Sequence, residues 1–510
     1  MQMWKFKAAT CLMFIGVTMS LGLTTCTAAT SIAPTPRPAL YAAPVLAGPV
    51  NKLNGVIRVE PKLSDDYFPN SGIGWQNGSD TSSAIGLSES ITYIDRHEIS
   101  WKVLNPANGV YNWLPLDDQI QLAVATGKQI SFRVYTMAGE GADGSMIPDW
   151  VLSEGASLLP SGEPDYSNCV YQEDWGKFVS ELSRVYDGNS NIAFIDVSGY
   201  GDFNSWSWQD QQTDWDFDWQ NGYANGSASP SLFKTLDGQA RRRLADMYIG
   251  GSFDQHQCRS ATGGISTIKY AYLGFQKTQL VMPYAGIVQS SQYVFSRRAD
   301  VGFRYDCLGN GGEQVLSKVG NIILKDWVTA PVVFEFCEPA NLDITDARVL
   351  LQAGHGSIVH DNTWSYGSDA LKALLKNVGY RYFLKVATLQ VADHTIALQM
   401  DWQNLGTAPN YPKMGQNFEL YFYLIDSSGS IVRKELIPAN VYQWLPLESS
   451  STLPQVYPIP YILNLPFSFP AGKYFAGVGI IDVRTGKPIN LAFGGLDLAG
   501  WHLLAPLEIK

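Results

Sequence analysis

Pro331-Val332-Val333-Phe334-Glu335-Phe336-Cys337-Glu338-Pro339 is a short apolar run, β-branched and aromatic, that closes on two carboxylates. It reads as a buried strand, and burying an uncompensated carboxylate costs several kcal/mol. Glu335 must therefore have either a use or a partner. In an eight-stranded parallel barrel the C-terminal strand ends carry the active site. Alternation along the strand separates Val333, Glu335 and Cys337 from Val332, Phe334, Phe336 and Glu338. Bulky aromatics suit the layer between barrel and helices, so Glu335 is expected to face the barrel axis near the top. Glu338 then sits in the loop just beyond. The bland alternative is an ion pair between Glu335 and an inward arginine, Arg133 or Arg304.

Outward from this strand, the pattern between about residues 65 and 379 alternates strand and helix. Expected strands are 72–75, 91–99, 129–135, 192–197, 279–284, 301–305, 331–337 and 356–360. Helical spacing fills 116–125, 175–186, 236–248, 313–319, 345–352 and 369–378. That is the count of a (β/α)8 TIM-type barrel. An open doubly wound sheet would need a glycine-rich phosphate loop, and Gly72-Ile73-Gly74 lacks the third glycine and the helix. After residue 380 short strands follow one another, separated by turns such as Asp426-Ser427-Ser428-Gly429 and Arg484-Thr485-Gly486, with no helix required. This predicts an all-β sandwich. The domain plan is a leader over 1–29, a proline-rich linker over 30–60, the barrel over 61–379 and the sandwich over 380–510.

The leader carries Lys5 and Lys7 before an apolar run from Cys11 to Leu23. Leu23-Thr24-Thr25-Cys26 resembles a lipoprotein signal, although Thr25 stands where a smaller residue is usual. Ordinary cleavage near Ala28 or Ala29 is the alternative, and both predict export to the extracellular space or cell surface. The only membrane contact expected is a lipid anchor at Cys26. Four cysteines then remain, and of the three possible pairings Cys307–Cys337 is preferred because both end neighbouring strands. The net charge of −11 argues against nucleic acid or an anionic membrane surface as partner.

Fifteen tryptophans and 26 tyrosines fit either a large core or a surface that stacks on sugars. Cleaving a glycosidic bond takes two carboxyl groups flanking it. Asp202, in the glycine-rich run after strand four, is the expected partner of Glu335, although Gly-x-Gly-Asp is also ordinary turn chemistry. The loop that follows holds Trp206, Trp208, Trp215 and Trp219 among aspartates, as a carbohydrate cleft or a packed lid would. Further barrel-top groups are Glu98, Arg133, Tyr135, Asp306, His355 and His360. Arg133 could equally pair with Glu335 or Glu98. Trp402, Tyr411, Trp444 and Trp501 are sugar contacts or, more simply, sandwich core. Asp214-Trp215-Asp216-Phe217-Asp218 opens like a calcium loop but lacks its glycine and closing glutamate. No metal and no cofactor are expected.

Asn70-Ser71-Gly72-Ile73-Gly74-Trp75, Trp101-Lys102-Val103-Leu104-Asn105-Pro106, Gly302-Phe303-Arg304-Tyr305-Asp306 and Trp402-Gln403-Asn404-Leu405-Gly406-Thr407-Ala408-Pro409-Asn410-Tyr411 occur in this order. The series resembles bacterial proteins with a DUF4832-type β-sandwich behind a glycosidase-like barrel. The resemblance implies an exported glycoside hydrolase with its acid/base after strand four and its nucleophile, Glu335, at the end of strand seven. Two positions depart from it. Ser205 stands where a glutamate is usual in the strand-four loop, and a serine hydroxyl is far too weak an acid to protonate a leaving group. Asn105 stands where Leu-Glu-Pro is usual. Asp202 then either replaces the missing acid, or the barrel binds glycans without cutting them.

Overall fold

The computed structural model describes residues 45–510 except 78–86, 95–98, 138–143, 161, 202–203, 205, 207–234, 285–287, 307, 310–319, 321–324, 337–341, 362–367, 448–452 and 496–499. The chain opens with a hairpin, β1 (Val50–Leu53) and β2 (Val56–Val59), turned at Asn54-Gly55, both with positive φ. The part of the expected linker from residue 50 therefore carries strands, because Ile57 and Val59 bury against the sandwich core.

Eight parallel strands follow: β3 (Gly74–Asn77), β4 (Ile91–Ile94), β5 (Gln129–Phe132), β6 (Ile192–Asp196), β9 (Leu280–Tyr284), β10 (Val301–Tyr305), β11 (Val332–Phe336) and β12 (Gly356–Asp361). Their hydrogen-bonded order is β3-β12-β11-β10-β9-β6-β5-β4, so the sheet wraps into a nearly closed barrel whose first two strands form the seam. Inside, Gln76 Nε2 reaches past that seam to donate to Ser131 Oγ at 2.7 Å. All eight expected strands are present, most of them shorter than their sequence pattern.

The outer layer is aromatic and aliphatic. Trp75, Phe132, Ile195, Met282, Phe303, Phe334 and Phe336 pack there with Trp175, Phe178 and Leu182 of the helix Cys169–Tyr186. Asn168 caps that helix, its side chain accepting from Val170 N and Tyr171 N. Between β6 and β9 lies a feature the alternating pattern does not anticipate, the antiparallel ribbon β7 (Gly251–Arg259) and β8 (Ile265–Tyr272). A disulfide joins Cys258 on this ribbon to Cys169 at the start of the helix. The expected Cys307–Cys337 pair uses the other two cysteines and lies outside the described residues. Closing a loop of 89 residues restricts the unfolded chain, so Cys169→Ser with Cys258→Ser should cost about 2–4 kcal/mol in denaturant unfolding.

The C-terminal strands are β13 (Tyr382–Ala392), β14 (Thr395–Asn404), β15 (Phe418–Ile425), β16 (Ile431–Ile437), β17 (Tyr457–Asn464), β18 (Gly472–Asp482), β19 (Lys487–Pro488) and β20 (His502–Ile509). One antiparallel sheet runs β1-β2-β13-β14-β17, and the other runs β16-β15-β18-β19 with β20 also on β18. Leu384, Met400 and Trp402 of the first share one core with Leu420, Phe422, Val478 and Leu507 of the second, which makes a β-sandwich. Trp402 and Trp444 stack at 5.3 Å inside it, and Trp501 packs on Tyr423. All three indoles are buried and are therefore core, not a sugar-binding face.

The segment after β14 leaves the sandwich and enters the floor of the barrel. Ala408, Tyr411 and Met414 join Ile91, Tyr93, Phe194, Val281, Val333 and Ile358 in one buried cluster. Gln129 Nε2 donates to the Met414 carbonyl, Tyr411 Oη to the Trp327 carbonyl at 2.7 Å, and Lys413 pairs with Asp300. A Cβ at Gly406 would collide with the Gly379 carbonyl, so only glycine lets the two backbones pass.

Candidate active site at the barrel mouth

The inward residues of the barrel change character from bottom to top. Below are Val281, Val333 and Ile358; above them come Tyr93, Arg133, Asp196, Arg304, Glu335 and His360. Alternation explains the switch. Val333 packs in the inner cluster while Phe334 and Phe336 pack outside, so Glu335 turns inward.

Asp196, fully buried at the end of β6, organises the layer. Its Oδ2 accepts from Tyr93 Oη at 2.8 Å and from Arg133 Nη2 at 3.0 Å. Arg304 Nη1 lies 3.6 Å from the same oxygen, and the Arg304 guanidinium sits 4.4 Å above the Tyr93 ring. On its other side Arg304 Nε donates to Glu335 Oε2 at 3.1 Å, with Asp306 Oδ1 4.0 Å away. His360 pairs with Glu335 across β11 and β12, and its ring meets Tyr93 edge-on at 4.7 Å.

The two upper carboxyls are driven apart. Burial pushes Glu335 up, but Arg304, His360 and Arg133 outweigh it and hold the group below the ordinary glutamate range. Burial and the neighbouring Glu335 charge push Asp306 up to about 8. Glu335 keeps 14% side-chain exposure and Asp306 18%, whereas Asp196 has none, so only the upper pair meets the opening.

Of the residues singled out in the sequence, Glu335, Arg133, Asp306 and His360 come together here. Arg133 is spent on Asp196. Tyr135 is buried, its carbonyl accepting from Trp101 N. His355 is not at the mouth. It precedes β12, at the opposite end, where its Nδ1–H donates to the Thr407 carbonyl at 2.9 Å and its ring stacks on Trp327 at 3.5 Å. Trp206 is wholly buried and is no sugar platform. Its indole donates to the Val197 carbonyl and stacks on Tyr200, closing the end of β6. Asn204 holds the same corner, bonding Thr136 through both its side-chain atoms. Asp202, Ser205, Trp208, Glu338 and Glu98 lie outside the described residues. Asn105 ties its own turn, its Nδ2 donating to the Ala107 and Val110 carbonyls. Tyr93 and Asp196 are the members the sequence reading did not single out. The inward parity of Ile91 and Tyr93, two residues apart on a buried strand, was the available signal.

No family model matches the chain, and no curated protein matches it. Among solved structures, the chain is similar to a beta-galactosidase from the psychrophilic Marinomonas ef1, at 10% identity and a TM-score of 0.34, over 59% of this chain. This distant neighbour is a glycosidase. The match spans 58% of that enzyme's length.

Proposed function

We propose that the barrel mouth acts on a glycoside, with Glu335 as the ionised carboxylate that attacks the anomeric carbon. The observation that carries this is a glutamate kept charged at the C-terminal end of β11, partly open to solvent and held by Arg304 rather than neutralised by burial. A nucleophile needs a negative charge and a fixed direction, and Arg304 with His360 supplies both. Asp202 is the proposed proton donor, from the loop after β6. The resemblance implies the nucleophile's role for Glu335; it expects a glutamate where this chain has Ser205, and Asp202 is proposed in its stead. The Cys169–Cys258 disulfide suits an exported protein.

A second reading, glycan binding without turnover, draws on Ser205 at the position where the resemblance puts a glutamate. The two part cleanly in one assay. Purified protein is screened on aryl-glycosides and on polysaccharides, with Glu335→Gln and Asp202→Asn alongside. The hydrolase reading expects turnover that falls at least about a hundredfold in Glu335→Gln. Turnover indifferent to Glu335→Gln would reject the assignment, and saturable binding without release of sugar would favour the second reading.

A further inference from the structure

Asp306 has no assigned task, and its surroundings are unusual for an aspartate. β10 and β11 run in parallel register with Arg304 opposite Val333 and Tyr305 opposite Phe334. The next residues, Asp306 and Glu335, therefore stand side by side, and Leu308 N donates to the Glu335 carbonyl at 2.8 Å. Both carboxyls approach the same Arg304 Nε, which carries one hydrogen. It goes to Glu335 at 3.1 Å and leaves Asp306 Oδ1 at 4.0 Å. That Oδ1 is buried and has no hydrogen-bond partner among the described residues. A dry, unbonded carboxylate oxygen is costly when ionised and cheap when its group is neutral.

Charge balance points the same way. Among the described residues, the charged groups acting on Asp306 are Glu335 from β11, Arg133 from the β5 end, Arg304 from its own strand and Asp196 from β6, with Tyr93 bonded to that Asp196 and His360 beside Glu335 in the same layer. The two arginines are matched by Asp196 and Glu335, and His360 is the one other group named here that can take a positive charge; once its imidazole is neutral, no cation is left for a third carboxylate. An ionised Asp306 would add a third negative charge beside the second.

We propose that Asp306 is a positioning acid for Glu335: the two side-by-side carboxyls hold one proton, carried on Asp306, and the arrangement at the mouth lasts only while that proton stays. Glu335 is then the only negative group of the pair, and Arg304 stays committed to it. Loss of the proton sets two anions against each other and draws Arg304 toward both. The bearing of this on sugar chemistry rests on the function proposed above; the proton itself does not, and it is tested without any substrate.

The test is thermal unfolding of the whole protein from about pH 5 to pH 9.5, for wild type, Asp306→Asn and Glu335→Gln. An aspartate whose folded pKa lies above its unfolded value of about 3.9 binds a proton only in the folded state across that interval. Its contribution therefore shrinks as pH rises, and is gone once pH passes the folded value of about 8. The wild-type melting temperature should fall with rising pH and level off above about 8. Asp246, raised to about 6 by burial, adds to every curve alike, so differences between variants isolate Asp306. Asp306→Asn should lose the part of the decline between about pH 6 and 8 and keep only what Asp246 contributes. Glu335→Gln should level off at lower pH, because the neighbouring charge that retains the proton is gone. A decline between about pH 6 and 8 that is as large in Asp306→Asn as in wild type overturns the proposal, as does a levelling point that Glu335→Gln does not move. If Asp306→Asn does not fold, the Glu335→Gln shift decides, read in a His360→Gln background so that the imidazole does not contribute. A protein inactive on every glycan but showing these shifts keeps the proton pair and loses only the enzymatic reading.

Discussion

Asp196→Ala should cost about 3–5 kcal/mol of stability, the largest single loss expected in the barrel interior. The carboxylate is fully buried and answers three groups at once: the Tyr93 hydroxyl, the Arg133 guanidinium and, at longer range, Arg304. Removing it strips Arg133 of its ion pair with Asp196 and leaves Arg304 with Glu335 as its remaining close partner. A buried charge deprived of its partner is penalised far more than the pair was ever worth. The double variant Asp196→Leu with Arg133→Met removes both charges and should recover part of the loss. Urea unfolding midpoints check both, and a cost below about 1 kcal/mol for Asp196→Ala would mean that water, not the ion pair, solvates this layer.

Tyr411→Ala should be nearly as damaging, at about 3–5 kcal/mol. Tyr411 belongs by sequence to the loop between β14 and β15, yet its ring lies under the barrel with Phe194, Val281 and Ile358. Its hydroxyl donates to the Trp327 carbonyl and receives a long bond from Ser357 Oγ. Truncation opens a cavity in the barrel floor and removes the donor to the half-buried Trp327 carbonyl. Tyr411→Phe keeps the volume and should cost only about 1 kcal/mol. Because the plug is sandwich chain inside barrel core, near-ultraviolet circular dichroism and tryptophan fluorescence should shift together in denaturant. A barrel transition that moves while the sandwich transition stays would show that the two cores are energetically separate.

The barrel was legible because parallel strands buried on both faces read as apolar runs, as β6 (Ile192–Asp196), β9 (Leu280–Tyr284) and β11 (Val332–Phe336) do, while β3, Gly74-Trp75-Gln76-Asn77, does not. Position along a strand carried the orientation of Glu335, since alternation needs no tertiary knowledge. Partner choice did not come from the same source. Arg304 stood among the arginines weighed for Glu335, but that Asp196 takes Arg133 depends on the register of the neighbouring strands β5 and β6, in which Phe132 lies opposite Ile195. Strand β17 was hidden by Pro458 and Pro460, which weaken any strand pattern and are tolerated here because β17 is an edge. The ribbon β7–β8 alternates well enough, but it falls where a barrel connection was expected. His355 misled because a histidine before a strand and one at its end look alike in sequence, though they sit at opposite mouths. Trp206 misled because its polar, glycine-rich surroundings suggest exposure, while its indole hydrogen bond demands the interior.

The insertion of the 408–414 segment into the barrel floor sets an order on synthesis. The ribosome finishes the last barrel strand before it has made the residues that fill the base, so the nascent barrel must wait with an open hydrophobic bottom. β2 waits longer still, for Ala387 to emerge roughly 330 residues after Val59, which at about 5–20 residues per second is on the order of a minute or less. Through that interval the exposed Ile57 and Val59 edge needs a chaperone, or slow collapse elsewhere in the chain, to keep it from pairing with a neighbour.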